Sequence, residues 1–487
     1  MASRRDQLHS YQFMIQRVVA ALVMRETDPA QSPFRRAAGA IFAGIMVASI
    51  AVAGFAVYGL WDPGGNVRWK AESDNNDGKP VVVVEKETGA TYVYMAGTLY
   101  PTENYTSAML VGNQDGSLKQ PREVSRDSIA GIAGIRIGPR IGIPGAPDSL
   151  PGQENLIRGD WTLCSQQKRS PSGEERLETV MVVGERPLGY TSVAGEGVIL
   201  VEEAESRDKY LIYRSHRFRI TNESVVLQAL SLRDRSVLQV GAAWLNALPE
   251  GQEIKPLVIP RYGEPSNVTP GATIGTLYGV EVSGKITYYV ALKDHLAVIT
   301  EFQAEILKAN AGIEAVEPMS SGEASANDTW DGFLPSGNDL APPPESANLA
   351  LEEPTRTDAV CAIFGADGGK PPAIVHSGAM SQFDGAGVET RQQDEFGNQL
   401  VSRVVVPPGK GAVIWTSQDP EDMTGGLLCL ITDSGRYYPL SSDDVLKRLG
   451  YEPQRAVGGW MPTYLVARLP EGPTLDPVYA ARPVPEP

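Results

Sequence analysis

The longest apolar stretch of the chain runs over residues 37–61 and contains no charged side chain. A helix needs about 20 residues to cross the roughly 30 Å hydrocarbon layer of a bilayer, so this stretch is long enough to span it. A buried helix of a soluble domain is the alternative. Arg35 and Arg36 before the run, and Trp61 and Asp62 at its end, favour a membrane segment instead. The pattern therefore predicts one transmembrane helix over residues 37–61.

Residues 1–36 carry a weaker pattern with the period of a helix. Apolar side chains recur along one side of the predicted helix at Leu8, Tyr11, Ile15, Val18 and Leu22. Nothing else in this short arm can cover such a stripe, so it needs a partner protein or the inner surface of the bilayer. We interpret Tyr11, Ile15, Val18 and Leu22 as a docking face for a partner protein, with the bilayer as the alternative.

Charge predicts the direction in which the chain crosses the membrane. Residues 1–36 contain six arginines and three acidic residues, whereas the whole chain of 487 residues has a net charge of −16. Positively charged segments beside a span stay in the cytoplasm, so we expect a cytoplasmic arm and a large acidic domain on the periplasmic side. The acidic balance also disfavours nucleic acid as a partner, because phosphate binding needs clustered Lys and Arg.

Four segments of the outer region share a pattern of strand, tight turn, strand and capped helix. The first strand of each segment contains one residue of a common column, namely Tyr92, Tyr210, Tyr289 and Cys429. The cap that follows 11 or 12 residues later is Asn104, Thr221, Thr300 or Ser441. These residue types accept hydrogen bonds from the first amides of a helix. We predict β-β-α repeats near residues 91–112, 209–232, 288–310 and 428–450, with coincidence among ordinary β-β-α patterns as the alternative.

The remaining outer segments are expected to support the repeats. A unit of this size cannot bury its apolar face alone, so the copies should pack on one another or on a central domain drawn from about 120–200 and 355–420. Residues 317–355 are rich in Pro, Ser, Gly and acids and are predicted to form a long loop, and residues 471–487 a mobile tail. With 50 glycines and 37 prolines, the chain is predicted to be a β-rich α+β protein.

Motifs that carry chemistry are few. Residues 365–371 (GADGGKP) have only a superficial likeness to a phosphate-binding loop, because that loop needs four residues between its glycines and a Ser or Thr after the lysine, where Pro371 stands. The three cysteines and four histidines are scattered without metal-ligand spacing. We predict no catalytic residue, no cofactor and no metal ion, and therefore a protein that is not an enzyme. One disulfide can form if the domain is exported.

Several motifs, in order along the chain, resemble the EccB family, membrane subunits of the type VII (ESX) secretion systems of mycobacteria and related actinobacteria. They are residues 10–17 (SYQFMIQR), the Arg-flanked span, and residues 142–147 (GIPGAP), 161–164 (WTLC) and 246–249 (NALP). The resemblance implies a single-pass protein of the cytoplasmic (inner) membrane. Its elongated periplasmic domain would hold four repeats around a central domain, and its role would be that of a structural core subunit supporting protein export.

The same resemblance implies partners and a disulfide. The expected partners are EccC-, EccD- and EccE-like subunits and further copies of the chain, bound through the periplasmic domain. The repeats are also similar to a cell-wall-binding module of phage lysins, which implies contact with the cell wall. A disulfide between Cys164 and Cys361 is implied, and Cys429 departs from the two-cysteine arrangement. Family members are sometimes labelled ATP hydrolases. The alternatives to a secretion subunit are thus an anchored cell-wall-binding protein and an ATP-hydrolysing subunit.

Overall fold

The structure is a computed structural model that describes residues 4–24, 33–61, 68–75, 78–114, 116, 121–130, 135–169, 175–193, 195–334, 340–355, 358–366, 370–377, 380–418 and 426–485. Two long helices come first, α1 (Arg4–Met24) and α2 (Pro33–Trp61). Within α2, the 21 residues Ala38–Tyr58 are long and apolar enough to cross a membrane, and they are not buried by the rest of the protein. The span predicted at residues 37–61 lies inside this helix.

Repeat 1 follows the span. Its elements are α3 (Arg68–Asp74), β1 (Val81–Glu85), β2 (Thr91–Met95), β3 (Thr98–Pro101), α4 (Tyr105–Gly112), β4 (Arg122–Val124), α5 (Arg126–Ala130) and β5 (Arg136–Ile137). Strands β1, β2 and β3 form an antiparallel meander, and after helix α4 the chain returns as β4, which pairs in parallel with β1. Because Val82 and Val93 share one apolar cluster with Leu110, α4 covers one face of this sheet.

The rest of the chain alternates between a central sheet and three further repeats. The first central strands are β6 (Trp161–Arg169), β7 (Glu175–Val183) and β8 (Thr191–Ser192). Repeat 2 contains β9 (Gly197–Glu203), β10 (Lys209–Tyr213), β11 (His216–Arg219), α6 (Glu223–Ala229), β12 (Leu238–Val240) and α7 (Ala242–Leu245). Repeat 3 contains β13 (Leu277–Val282), β14 (Lys285–Ala291), β15 (Leu296–Ile299), α8 (Glu301–Ala311), β16 (Glu317–Pro318), α9 (Ser321–Ser325) and β17 (Thr329–Trp330).

The chain then returns to the centre and ends in repeat 4. Strand β18 (Ala350–Leu351) precedes the central strands β19 (Ala359–Phe364), β20 (Ala373–Ser377), β21 (Val388–Glu389) and β22 (Arg403–Val405). Repeat 4 contains β23 (Gly411–Ser417), β24 (Leu428–Thr432), β25 (Tyr437–Pro439), α10 (Asp444–Arg448), α11 (Pro453–Ala456), β26 (Val457–Pro462), α12 (Thr463–Val466) and α13 (Pro477–Ala480). Single 3₁₀ turns lie at Gln153–Asn155 and Ser381–Phe383.

The four repeats share one topology, so the β-rich α+β class with four β-β-α units is confirmed. Each unit is nevertheless larger than predicted. A further antiparallel strand precedes the predicted pair, and the strand after the helix pairs in parallel with that first strand. The column residues Tyr92, Tyr210, Tyr289 and Cys429 therefore lie in second strands, not first strands. Their side chains all belong to the clusters on the sheet face opposite the repeat helix.

Two of the four predicted caps are correct. Asn104 accepts a hydrogen bond from the Ser107 amide, and Thr300 forms a complete capping box with Gln303. The other two are wrong, because the helices begin later, after Asn222 and after Asp443. In both cases the backbone amide of the predicted residue bonds to a segment that is distant in sequence. The amide of Thr221 donates to Ile254 O at 3.0 Å, and the amide of Ser441 donates to Leu475 O at 3.2 Å.

The central sheet has seven strands in the order β21-β22-β7-β6-β19-β20-β8. One face carries a compact cluster that includes Val180, Val375 and Phe383. The other face packs against repeats 2 and 4 in the largest core of the molecule, where Leu163 and Met181 of the sheet meet Ile199 of repeat 2 and Ile414 of repeat 4. The predicted central β-rich domain thus corresponds to strands within residues 161–192 and 359–405.

The repeats pack on one another as two pairs. Repeat 1 contacts repeat 4 through the C-terminal ends of helices α4 and α10. There the Asn113 side-chain amide donates to the carbonyls of Lys447 and Arg448 at 3.0 and 3.2 Å. Repeat 2 meets repeat 3 through helices, because Phe302 and Ile306 of α8 are buried in the apolar core of repeat 2. The prediction that the copies pack on one another or on a central domain agrees with this arrangement.

Two predictions for irregular segments need correction. The expected loop at 317–355 contains the short elements β16, α9, β17 and β18, and Leu349 and Leu351 pack against the core of repeat 2. The expectation of a mobile tail is wrong for residues 471–485. Leu475 and Ala480 are fully buried against repeats 1 and 4, because this segment supplies apolar side chains that cover the helix pair. The proline and charge content of this segment did not reveal these buried apolar side chains.

Candidate interaction surfaces

Helix α1 exposes the apolar side chains predicted as a docking face. Tyr11, Ile15, Val18 and Leu22 are 63%, 42%, 53% and 77% exposed. Exposed apolar groups of this number on one helix need a partner surface or a bilayer. The structure therefore leaves the predicted face uncovered within the described residues, and its occupant stays a prediction.

The uncovered apolar surface of α1 is wider than the predicted stripe. Phe13 and Met14 are each 63% exposed, and Phe13 lies on a different side of the helix from Ile15. The Arg17 guanidinium lies 6.0 Å from the centroid of the Phe13 ring, within the range of a cation–π contact. The sequence reasoning missed these two residues because it searched for a single stripe. A search for apolar residues in this segment that did not require helical periodicity would have found both residues.

The cysteines divide into a bonded pair and a buried thiol. Cys164 of β6 and Cys361 of β19 face each other in neighbouring strands and form a disulfide, the pair that the family resemblance implies. Cys429 is fully buried in β24 as a free thiol. Burial, with a smaller contribution from Glu471, raises the pKa of the Cys429 thiol to about 12. A thiol with so little thiolate is unreactive, so Cys429 has a packing role.

The described residues offer little that could bind a nucleotide or a metal ion. No group of three or more His, Cys, Asp or Glu side chains in this part of the chain could hold a metal ion. In the imperfect phosphate-binding loop, residues 367–369 lie outside the described residues, while Lys370 and Pro371 follow on the surface. The side chain required after the lysine for magnesium is still absent from the sequence.

A polar cleft of about 480 Å³ opens at one end of repeat 1. It lies between the β1–β2 turn, the end of β3 and the start of α4, and its charged lining residues are Glu103, Arg140 and Asp148. Arg140 Nε lies 2.8 Å from Glu103 Oε2, so these two side chains form an ion pair at the cleft. The cleft suits small polar groups of mixed charge.

The features described so far are one exposed apolar helix, one span, four repeats in two pairs and a disulfide-linked central sheet. Over residues 1–483 the chain matches the family model described as type VII secretion system ESX-1, transport TM domain B. The chain belongs to the EccB family. It is 27% identical over 325 residues to the protein named ESX-2 secretion system ATPase EccB2 of Mycobacterium tuberculosis H37Rv, an alignment that covers 65% of this chain and 61% of that relative.

Solved structures share the EccB fold described above. A chain in the structure of an intact ESX-5 inner membrane complex superposes with a TM-score of 0.61 at 21% identity, covering 100% of this chain and 96% of that one. The structure of an EccB3 dimer from the ESX-3 core complex matches with a TM-score of 0.60 at 20% identity, covering 82% of this chain and all of that one. At these identities the matches establish the fold.

Proposed function

We propose that this chain is a structural core subunit of a type VII (ESX) secretion complex in the cytoplasmic membrane, where it supports protein export across the cell envelope. The observation that carries the proposal is the EccB family match along almost the entire chain, from the exposed helix α1 through the span to the last repeat. The apolar helix Ala38–Tyr58 anchors the chain with residues 1–36 in the cytoplasm and the repeats in the periplasm.

The two sides of the membrane have different roles in this proposal. On the cytoplasmic side, Tyr11, Ile15, Val18 and Leu22 dock against EccC-, EccD- or EccE-like subunits, because their exposed surface has no cover in the described chain. On the periplasmic side, the repeats associate with other copies of the chain. The similar EccB3 structure is described as a dimer, which supports this arrangement.

The subunit itself does not hydrolyse ATP. The relative that matches over 325 residues is named an ATPase, so ATP hydrolysis is the main alternative function. Nucleotide binding by a phosphate loop requires backbone amides around the phosphates and a hydroxyl for magnesium, and Pro371 cannot supply that hydroxyl. An anchored protein that only binds the cell wall would have no need for the exposed face on α1.

Gentle solubilisation tests the proposal. The full chain, tagged at its C-terminus and expressed with its neighbouring genes, should run in mild detergent as an assembly far larger than its own 52.3 kDa and should bring EccC- and EccD-like proteins with it. A chain that runs alone or as a simple dimer, with those proteins present in the same membranes, would contradict the role in a core complex.

A further inference from the structure

Helix α3 joins the membrane span to the outer domain and is firmly packed on repeat 1. Trp69 is 3% exposed, its ring meets the Tyr94 ring edge to face at 5.4 Å, and its indole nitrogen donates to Ser128 at 3.2 Å. At the other end of the helix, the Tyr94 hydroxyl donates to Asp74 at 2.9 Å. These contacts fix the direction of α3 relative to the sheet.

The contacts of helix α3 indicate that it runs antiparallel to strand β1. Asp74, its last residue, bonds Tyr94, which pairs with Val81 at the start of β1. Trp69, near the start of α3, donates a hydrogen bond to Ser128, which closely follows strand β4. Val124, the last residue of β4, pairs with Glu85 at the end of β1. The start of α3 therefore lies at the end of repeat 1 that carries the β1–β2 turn.

Chain length holds that end close to the bilayer. Only six residues, 62–67, separate Trp61 at the end of α2 from Arg68 at the start of α3. A chain advances at most about 3.6 Å per residue, so the two helix ends can be at most about 25 Å apart. The span Ala38–Tyr58 ends three residues before Trp61. The first repeat thus begins within the reach of the outer headgroup layer.

Repeat 1 is electrically balanced, whereas the rest of the outer domain is acidic when taken as a whole. Residues 68–140 contain nine Lys or Arg and nine Asp or Glu, whereas residues 141–487 contain 28 and 46. Acidic surfaces are repelled by anionic headgroups over about a Debye length, while a neutral surface of mixed charges is not. The end with the β1–β2 turn exposes both signs, in the cations Arg68, Lys86, Arg126 and Arg140 and the acids Glu87 and Asp127.

We infer that the end of repeat 1 that carries the β1–β2 turn and the polar cleft rests on the outer headgroup layer of the membrane, and that α3 sets this orientation. The partner is a lipid surface with mixed or zwitterionic headgroups, whose amines and phosphates match the carboxylates and Arg140 of the cleft. The rest of the outer domain, which is acidic as a whole, then points away from the bilayer. This inference rests on the proposed topology but not on the assembly of a complex.

A fluorophore at the β1–β2 turn tests the orientation. Thr88→Cys is exposed, and it is the one reactive thiol in the folded chain, because Cys164 and Cys361 are bonded and Cys429 is buried. The full chain is labelled and placed in lipid nanodiscs containing spin-labelled phosphatidylcholine headgroups. The matched control is Ser206→Cys, at the same turn of repeat 2. We expect strong quenching at position 88 and none at position 206 beyond that seen with unlabelled lipid.

Two further variants test the role of α3. Trp69→Ala should bring quenching at position 88 down towards the level of position 206, whereas Trp69→Phe, which keeps ring packing against Tyr94, should retain it. Continued resistance of Cys429 to labelling reports that the outer domain stays folded. Equal quenching at positions 88 and 206, or no effect of Trp69→Ala, would overturn the inference. Complex size, measured separately on the same protein, tests the proposed function independently.

Discussion

Phe302 belongs to helix α8 of repeat 3, yet its side chain is part of the core of repeat 2. It is 1% exposed and shares an apolar cluster with Phe218 and Val226 of repeat 2. Two other residues of the same helix, Ala304 and Leu307, pack into the core of repeat 3 itself. Helix α8 therefore serves two cores at once, and Phe302→Ala should loosen repeat 2 as well as repeat 3.

The expected loss is large because the ring is completely enclosed. Replacing a buried Phe by Ala costs about 3 to 5 kcal/mol from lost apolar burial and the cavity that remains. Each 1.4 kcal/mol changes an equilibrium tenfold, so local opening of the repeat 2–repeat 3 contact should become roughly a hundred to a few thousand times more frequent. Hydrogen exchange of the full chain in detergent, followed at the amides of α6 and β11, measures that opening.

Phe396→Ala is the matched control, since the same atoms are removed from a side chain that is 80% exposed. Its effect on the exchange of α6 and β11 should be below about 0.5 kcal/mol. If Phe302→Ala accelerates exchange only within repeat 3, or no more than Phe396→Ala does, the shared core is wrong. Faster exchange throughout the outer domain would mean instead that the contact supports the whole fold.

Three further outcomes follow from the described surfaces. Ile15→Asp with Val18→Asp should release the chain from its complex while leaving the repeats folded, because charges buried unpaired in a contact cost several kcal/mol, whereas Gln16→Asp should co-purify as before. The purified chain should hydrolyse no more ATP than a mock preparation, and a turnover abolished by Lys370→Ala would refute this. Because burial raises the pKa of Cys429 to about 12, its thiol should resist alkylation at pH 8 until the protein is unfolded, as peptide mapping will report.

The sequence identified the repeats because their side-chain pattern is local. Tyr92, Tyr210, Tyr289 and Cys429 mark equivalent strands, and the structure turns all four to the same side of their sheets. The strand before each of them was missed. In repeat 1 this strand, Val81–Glu85, begins with four consecutive valines that are largely buried on both faces. It therefore lacks the alternation that identifies a half-exposed strand.

Long-range contacts were not visible to the sequence reasoning. The caps predicted at Thr221 and Ser441 are one and two residues too early. Their amides bond to Ile254 and Leu475, which are distant in sequence. The tail was expected to be mobile from its prolines, yet Leu475 fills a gap between two repeats that are separated by about 300 residues of sequence. Residue types indicate which structure a segment favours by itself, but they do not reveal its contacts with segments that are distant in sequence.

Chain order makes the two repeat pairs depend on the central sheet to different degrees. Cys164 and Cys361 are 197 residues apart, and repeats 2 and 3 both lie between them as consecutive units. Repeats 1 and 4 flank this loop, and their contact through Asn113 and Lys447 joins residues 334 positions apart.

Closing so long a loop costs about 5 kcal/mol in chain entropy, and the central sheet reduces this cost because it holds both flanks of the loop. Reducing the disulfide removes a constraint of about 5 kcal/mol on the unfolded chain. In mild denaturant, reduction should therefore open the repeat 1–repeat 4 contact before the repeat 2–repeat 3 contact, as hydrogen exchange at α4 and α6 can report. Loss of protection at α6 first would contradict this dependence.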